Sequence, residues 1–350
     1  MQSTNTPTPL LEVKDLKTAF DLAEGRVVAV DGATFTVNAG ETLGIVGESG
    51  CGKSISARSI LRITGATDRN VSGQILYHRR PAHGDDTRTE TIDLLTLDAA
   101  GKRIRSIRGA EIAMIFQEPM TAFSPVHTIG NQIIEGIRLH ERTSAADARR
   151  RAIDMLKLVE MPNAERRIDE YPHQLSGGMR QRAMIAMALI CQPRILLADE
   201  PTTALDVTTQ AQILALLRRI KEELGMSVVM ITHDLGVVAE TAQNVAVMYL
   251  GRVVETASVK DLFRDPKHPY TRAMLNSIPR LSRHARERLQ PVAGMVPSPY
   301  NRPTGCPFHT RCPHVMPGLC DRLDPQPIQL ENGRDVSCFL YGTPEGTRDA

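Results

Sequence analysis

The sequence predicts an α/β fold: a core built on a parallel sheet, with an antiparallel β subdomain, a helical insert and a small Cys-rich C-terminal extension. Three observations predict it. Residues 10–38 alternate apolar and polar side chains, residues 43–61 run from an apolar strand through a Gly-rich turn into a helix, and apolar strands recur at 195–200 and 227–232. Strands separated by helices form βαβ units, which build parallel sheets.

The elements follow in order along the chain. Residues 10–38 are rich in β-branched and apolar residues with polar residues between them, and this pattern predicts an antiparallel pair of strands. Residues 117–180 change to helical periods punctuated by prolines, which predicts the helical insert. After the strand at 195–200, one helical face carries Ile213, Leu216, Leu217, Ile220 and Leu224.

Beyond about residue 260 the composition shifts to Pro, Arg and Cys, with an extended, Pro-rich stretch near residues 291–308. We therefore expect a core domain over residues 10–260 and a C-terminal extension over 261–350.

Composition excludes several classes of protein. The chain has 350 residues, 41% of them hydrophobic, and a formal net charge of +2, so it can bury a real core and carries no bulk basic surface for nucleic acid. Its longest apolar runs, such as 183–190, fall short of the roughly 18 residues of a membrane helix. The N-terminal stretch lacks the basic and apolar regions of a secretory signal, so we expect a cytoplasmic chain.

A phosphate-binding loop is predicted at residues 47–54. The segment fits G-x-x-x-x-G-K-[ST] between a strand and a helix, and its residues are Gly47, Glu48, Ser49, Gly50, Cys51, Gly52, Lys53 and Ser54. Glycines let backbone N–H groups face the phosphates, Lys53 neutralises their charge, and the Ser54 hydroxyl suits Mg²⁺. We include Ile55 of the following helix in this nucleotide-binding segment and expect a P-loop NTPase that uses ATP and Mg²⁺.

Cys51 lies inside this loop. It is interpreted as a small filling residue, but a helix N-terminus can lower a thiol pKa. The hypothesis is that maleimide inactivates the protein at Cys51 and that ATP protects it.

Polar residues at strand ends supply the predicted hydrolytic chemistry. Asp199 ends an apolar strand and suits Mg²⁺, while Glu200 is placed to polarise the attacking water. Gln117 follows the strand at 111–116 and is expected to sense Mg²⁺ and this water. His233 follows the strand at 227–232 and is expected to contact the γ-phosphate.

A second anion-binding segment follows at Leu175-Ser176-Gly177-Gly178-Met179, before a helix expected to begin near Arg180. With it the sequence resembles the ABC-transporter ATPases, whose LSGGQ signature it matches except for Met179 in place of Gln. The family's order is kept: phosphate loop, Gln117, this segment, the acidic pair at 199–200, Asp206 and His233.

The resemblance implies a head-to-tail dimer. Each ATP would lie between the phosphate loop of one subunit and Ser176, Gly177 and Gly178 of the other. Asp206 would communicate between the two sites. Phe20 resembles the aromatic residue that stacks on adenine, although in a strand it is equally a core residue.

Three longer segments resemble the ATP-binding subunits of oligopeptide/dipeptide ABC importers: YPHQLSGGMRQR (171–182), ADEPTTALDVTTQAQI (198–213) and HPYTRAML (268–275). The implied partners are a second ATPase subunit, identical or homologous, two transmembrane permease subunits, and a periplasmic solute-binding protein acting through the permease. The chain would be peripheral, on the cytoplasmic face of the inner membrane. The solute stays open, with peptides, nickel chelates and glutathione all compatible.

Four cysteines crowd the extension, Cys306, Cys312, Cys320 and Cys338, at C-x5-C-x7-C-x17-C. Four thiolates suit a tetrahedral zinc ion or a [4Fe–4S] cluster, and this spacing does not choose between them. The segment GCPFHTRCPH resembles the extension of peptide-importer ATPases, some of which carry a [4Fe–4S] cluster. Four free cysteines are the alternative, and His309 and His314 are expected to be surface residues.

Two other functions fit parts of the sequence. A soluble ABC-type ATPase acting on nucleic acid or ribosomes usually carries two cassettes or a long coiled coil, and neither pattern is evident. A RecA-like helicase would not require Ser176, Gly177 and Gly178.

Overall fold

The computed structural model describes residues 8–64, 70–79, 89–203, 205–278 and 292–342. Its strands are β1 (Pro9–Leu22), β2 (Gly25–Asn38), β3 (Thr42–Val46), β4 (Asn70–Arg79), β5 (Glu90–Asp93), β6 (Ile112–Ile115), β7 (Ile195–Asp199), β8 (Ser227–Thr232), β9 (Asn244–Tyr249), β10 (Arg252–Ser258), β11 (Ile328–Leu330) and β12 (Arg334–Val336). Its α-helices are α1 (Lys53–Leu61), α2 (Lys102–Ile107), α3 (Pro119–Ala122), α4 (Ile129–His140), α5 (Ala145–Leu158), α6 (Ala164–Arg167), α7 (Gly177–Leu189), α8 (Val207–Leu224), α9 (Leu235–Thr241), α10 (Val259–Arg264) and α11 (Pro269–Asn276).

The chain forms two compact units. The first contains the residues up to Leu10, Val37–Thr42 and Thr96–Ile231, and the second contains Leu11–Thr36, Leu43–Leu95 and the chain from Thr232 onward.

The first unit carries parallel strands and the helical segment. β6 pairs with β7 and β7 with β8, both in parallel, and every residue of the three strands is buried. Strands buried on both faces read as continuous apolar runs, which is the pattern of these segments. Helices α3 to α6 lie where the proline-punctuated insert was predicted. α8 buries Ile213, Leu216, Leu217 and Ile220 of the predicted face, and also Leu214, whereas the predicted Leu224 is only partly buried.

The second unit carries the antiparallel β subdomain. β1 and β2 are neighbours joined by a two-residue turn, and β4 pairs antiparallel with both β1 and β5. Buried and exposed residues alternate along the second half of β2, where Ala33, Phe35 and Val37 are buried and Thr34 and Thr36 are exposed. The predicted antiparallel pair is confirmed, together with the α/β fold class.

The second unit also contains β3 and the C-terminal extension. β3 pairs in parallel with β9, β10 pairs antiparallel with β9 and β12, and β11 pairs with β12. One hydrophobic cluster joins residues of β9, α11 and the extension, including Tyr249, Tyr270, Cys306, Phe308 and Phe339. Residues of the extension therefore share one hydrophobic core with β9.

Candidate functional site

The loop between β3 and α1 has a backbone that only glycine fits at two points. Gly47 and Gly52 have φ angles of +157° and +101°. A Cβ on Gly47 would lie 2.1 Å from the Met248 carbonyl oxygen, and one on Gly52 would lie 2.3 Å from that of Ala29. The spacing of the glycines is thus a consequence of close backbone approach.

Lys53 is the first residue of α1 and is nearly buried, with 5% of its surface exposed. Its Nζ donates to the carbonyl oxygens of Gly47 (2.8 Å) and Glu48 (3.1 Å). The N-cap of α1, Gly52, supplies no side-chain hydrogen bond, so the first turn is not capped by a side chain. A buried ammonium group beside a helix N-terminus is an anion-binding arrangement.

The expectation that the helix N-terminus lowers the pKa of the Cys51 thiol is wrong. The residue is 3% exposed, and its burial raises the pKa of the thiol, which outweighs the lowering by the Lys53 ammonium. The helix N-terminus argument neglected this desolvation. The Cys51 thiol stays protonated near neutral pH and behaves as the small filling residue of the loop.

Two of the predicted hydrolytic residues contact each other in the first unit. The Gln117 amide donates to Glu200 Oε2 (3.0 Å), and the Thr203 hydroxyl donates to the same oxygen (2.9 Å). Asp199, fully buried, ends β7 in register with Ile231. Thr203 was not predicted, although it lies in the quoted segment 198–213.

Glu200 itself has a left-handed backbone, with φ +46°. This conformation is uncommon for a residue other than glycine and clusters at functional sites. Its N–H donates to the Ile231 carbonyl oxygen (2.9 Å), so the neighbouring strand holds the turn.

Two other predicted residues lie in the second unit. His233 is exposed and follows β8. The next residue, Asp234, caps α9 through its Oδ1, which accepts from Gly236 N (2.8 Å) and Val237 N (3.4 Å). This cap fixes the backbone next to His233. Phe20 lies in β1 and is partly buried.

The segment at 176–178 forms the N-terminus of α7. Ser176 is the N-cap, and its Oγ accepts from Met179 N (3.4 Å). The helix begins at Gly177, one turn earlier than the predicted start near Arg180, because Ser176 caps it. Ser176 and Gly177 are exposed, and nothing lies within 4 Å of a Cβ placed on Gly177.

Asp206 caps the neighbouring helix α8 in the same unit. Its Oδ1 accepts from Thr209 N (2.9 Å) and its Oδ2 from the Thr209 hydroxyl (2.7 Å). The Thr209 backbone N–H is the largest influence that lowers the pKa of Asp206. A Cβ on Gly178 would lie 3.1 Å from Thr209 Cγ2, so the two helix N-termini are close together.

The four cysteines of the extension line one pocket, and none forms a disulfide. Sγ of Cys312 accepts from His314 N (3.4 Å) and Sγ of Cys320 from Met316 N (3.4 Å). The backbone of Phe308 and of Leu340 also hydrogen-bonds to Cys306 and Cys338.

Burial raises the pKa of Cys306 to about 12 and that of Cys338 to about 11. Among the described residues, no group of three or more His, Cys, Asp or Glu side chains is arranged to hold a metal ion, so the expected metal site is not found. His314 is exposed as predicted, whereas His309 is partly buried and its Nδ1 lies 2.9 Å from the Cys306 carbonyl oxygen.

Residues of the extension reach the phosphate loop, which sequence reasoning missed. The Tyr270 hydroxyl accepts the Glu48 N–H (2.9 Å), and Arg311 forms a two-pronged ion pair with the Glu48 carboxylate. Both residues lie in segments quoted for their resemblance, but nothing in their spacing pairs them with Glu48.

None of the helices in the described ranges has the length and apolar character needed to cross a bilayer.

Comparison with known proteins places these features in a family. Residues 30–203 match the family model described as ABC transporter, and residues 254–320 match that of the oligopeptide/dipeptide transporter, C-terminal region. A probable peptide ABC transporter ATP-binding protein of Sinorhizobium fredii is 49% identical over 97% of both chains. The dipeptide transport ATP-binding protein DppD of Bacillus subtilis is 46% identical over 95% of this chain and 94% of its own.

Solved structures agree with this similarity. The dimeric structure of MJ0796, a bacterial ABC transporter cassette, has a TM-score of 0.58 and 29% identity, covering 71% of this chain and 98% of that one. The structure of cbiO1 from Clostridium perfringens, part of the ABC transporter complex cbiONQ, has a TM-score of 0.58 and 27% identity, covering 74% and 92%.

Proposed function

The chain belongs to the family of ABC transporter ATP-binding proteins, and from that premise we propose that it hydrolyses ATP to power peptide import through separate membrane subunits. The observation that carries the proposal is the phosphate loop, in which the nearly buried Lys53 ammonium faces the loop carbonyls at the start of α1. An incoming triphosphate offers this ammonium charged oxygens in place of neutral carbonyls, which makes stronger hydrogen bonds.

Hydrolysis is assigned to residues at the strand ends. Glu200 orients and polarises the attacking water, Gln117 connects that carboxylate to the bound nucleotide, and His233 contacts the γ-phosphate. The contact between Gln117 and Glu200 at 3.0 Å supports the first two assignments.

Magnesium is assigned to Ser54 of the second unit and to Gln117 and Asp199 of the first. The Ser54 hydroxyl, the Gln117 amide and the Asp199 carboxylate all present oxygen atoms, which Mg²⁺ prefers. When bound, the ion neutralises phosphate charge during transfer.

A second copy, identical or homologous, completes each ATP site. Ser176 and Gly177 are exposed and Gly178 is half-buried, and this segment at the N-terminus of α7 suits a γ-phosphate presented by a facing subunit. Asp206 lies near this segment through Thr209, which supports its role in communication between sites. Phe20 is assigned to adenine stacking.

The names of the relatives support the proposed solute class and the proposed partner subunits. Several are named as peptide or dipeptide transporter ATP-binding proteins, and residues 254–320 match the oligopeptide/dipeptide transporter, C-terminal region. We assign residues 10–260 to the ATPase domain and 261–350 to the extension. The assigned partners are two permease subunits and, through them, a periplasmic solute-binding protein, with the chain peripheral on the cytoplasmic face of the inner membrane. These relatives do not favour an ATPase acting on ribosomes or nucleic acid.

We propose a [4Fe–4S] cluster for the four cysteines, although no group of side chains among the described residues is arranged to hold a metal ion. Their convergence on one pocket and the backbone N–H groups directed at their sulfurs support it, because such hydrogen bonds tune cluster thiolates. Iron and sulfide analysis of anaerobically purified protein tests it, and a colourless zinc protein would contradict it.

The transport function is tested by purifying the chain from detergent-solubilised membranes. We expect two permease subunits to copurify and peptide-loaded binding protein to stimulate ATP hydrolysis. Recovery of ribosomes without permeases would contradict the proposal.

A further inference from the structure

An ion pair joins the phosphate loop to the extension within the second unit. Arg311 Nη1 donates to Glu48 Oε2 (2.7 Å) and Nη2 donates to Oε1 (3.1 Å). The Arg311 side chain is 3% exposed and that of Glu48 is 28% exposed. Buried, two-pronged pairs of this kind are geometrically specific and stronger than surface pairs.

Arg311 is fixed by every donor it has. Nε donates to the Ala293 carbonyl oxygen (2.9 Å), Nη1 also donates to the Tyr249 hydroxyl (3.2 Å), and Nη2 also donates to the Val292 carbonyl oxygen (3.3 Å). Its guanidinium carbon lies 5.7 Å from the centre of the Tyr249 ring and 5.9 Å from that of Phe308. These contacts fix the position of the guanidinium group independently of its ion pair with Glu48.

Glu48 is held through its backbone as well. Its N–H donates to the Tyr270 hydroxyl (2.9 Å), and its carbonyl oxygen accepts from Lys53 Nζ (3.1 Å). The ring of Tyr270 packs against those of Tyr249 and Phe308, with centroid distances of 4.7 and 5.4 Å. The packed rings of Tyr249, Tyr270 and Phe308 therefore support Glu48 in two ways. Tyr270 holds its backbone N–H, and Tyr249 holds the Arg311 side chain that pairs with its carboxylate.

We propose that Arg311 is a positioning residue for ATP binding: it neutralises the Glu48 carboxylate and holds the loop in shape, so the extension sets the affinity for the triphosphate. The inference rests on the proposed function, because it requires this loop to bind ATP. Without Arg311, a negative carboxylate in the loop would repel the phosphates and the loop would lose a side-chain anchor.

The extension is well placed for such control. Arg311 directly precedes Cys312 in the chain, and Cys306 N donates to the Cys320 carbonyl oxygen at 2.8 Å within the same segment. Any change in the packing of the cysteine-lined pocket therefore acts on the segment that carries the guanidinium group.

The test measures the dissociation constant of a fluorescent ATP analogue with the full-length chain. Arg311→Met is expected to raise it about tenfold, as for loss of one charge-assisted contact. Arg311→Lys, which keeps the charge but loses the second prong, is expected to give an intermediate value. Adding Glu48→Gln to Arg311→Met is expected to restore most of the affinity, because it removes the unpaired charge. A merely structural role for Arg311 would not give this rescue.

Arg334 provides a matched control. It forms another buried ion pair of the extension, with Nη2 3.2 Å from Glu255 Oε1 and exposures of 8% and 0%. Arg334→Met is expected to lower the thermal midpoint while leaving the dissociation constant of the folded protein within about twofold.

Unchanged affinity in folded Arg311→Met or Arg311→Lys, or no rescue by Glu48→Gln, would overturn the inference alone. Absence of ATP binding by the unsubstituted chain would instead refute the proposed function and this inference with it.

Discussion

Lys53 shows how a single residue prepares the site for its ligand. Its ammonium group lies within the protein at 5% exposure, bonded to two carbonyl oxygens of its own loop. A buried charge without such partners would cost several kcal/mol, and the loop carbonyls supply these partners until phosphate oxygens take their place.

Replacing Lys53 with Ala is expected to weaken ATP binding by about 100-fold or more, because the phosphates lose their buried counter-charge. Equilibrium binding of a fluorescent ATP analogue measures this directly. The far-ultraviolet circular dichroism spectrum should stay unchanged, since α1 keeps its other residues. An affinity equal to that of the unsubstituted chain would remove Lys53 from the site.

His268 is a residue whose burial has a consequence for stability. It is 1% exposed, caps α11 by accepting the Tyr270 N–H (3.1 Å), and burial lowers its pKa from 6.5 to about 3. Below pH 6.5 the His268 side chain becomes protonated in the unfolded chain, whereas in the folded chain it stays neutral until about pH 3. Stability from this group is therefore complete above pH 6.5 and falls as the pH decreases toward 3.

His268→Asn should keep the helix cap and abolish this titration. Between pH 7 and 5 we expect the unsubstituted chain to lose about 2 kcal/mol more free energy of unfolding than the variant. Denaturant unfolding at the two pH values measures the difference. Equal losses in both proteins would show that His268 titrates normally.

At the residue scale, the sequence predicted those parts of the candidate site whose chemistry is local. The glycines of the phosphate loop and the acidic pair at 199–200 follow from motif spacing, and the structure shows why the glycines are required. The Glu48 carboxylate is different, since its partner Arg311 is distant in the chain and only the folded core brings the two together. Cys51 was misjudged because burial cannot be read from its position in a motif.

At the scale of elements, helix N-termini organise the second half of the first unit. Ser176 caps α7 and Asp206 caps α8, and the two helix starts lie close together. The apolar period predicted α8, whereas α7 was expected to begin near Arg180, three residues after its observed start at Gly177. The hydroxyl cap at Ser176 decides the boundary.

Gly177→Asp places a carboxylate on the exposed start of α7, where nothing lies within 4 Å of the added Cβ. The substitution is expected to leave ATP binding by the isolated chain within about twofold, because no structural clash arises. ATP hydrolysis by the assembled transporter should fall at least about tenfold, since the new charge would face the γ-phosphate of the other subunit. Unchanged hydrolysis would contradict the shared site.

At the scale of the whole molecule, the extension is more than an appended segment. β12 adds to β10, the buried Arg334 and Glu255 pair across the two strands, and cysteines of the extension share a hydrophobic cluster with Tyr249. The composition shift near residue 260 led to the prediction of an extension over residues 261–350. It did not predict this packing, because β11 and β12 have only three residues each and give no periodic signal.

Turnover in the reconstituted transporter, compared between the unsubstituted chain and Glu200→Gln, tests the central claim most directly. The glutamine keeps an oxygen for the hydrogen bonds from Gln117 and Thr203 but cannot act as a base. The variant is expected to bind ATP as tightly as the unsubstituted chain and to hydrolyse it at least about 100-fold more slowly, with peptide uptake lost. Hydrolysis and uptake at the unsubstituted rate would contradict the account.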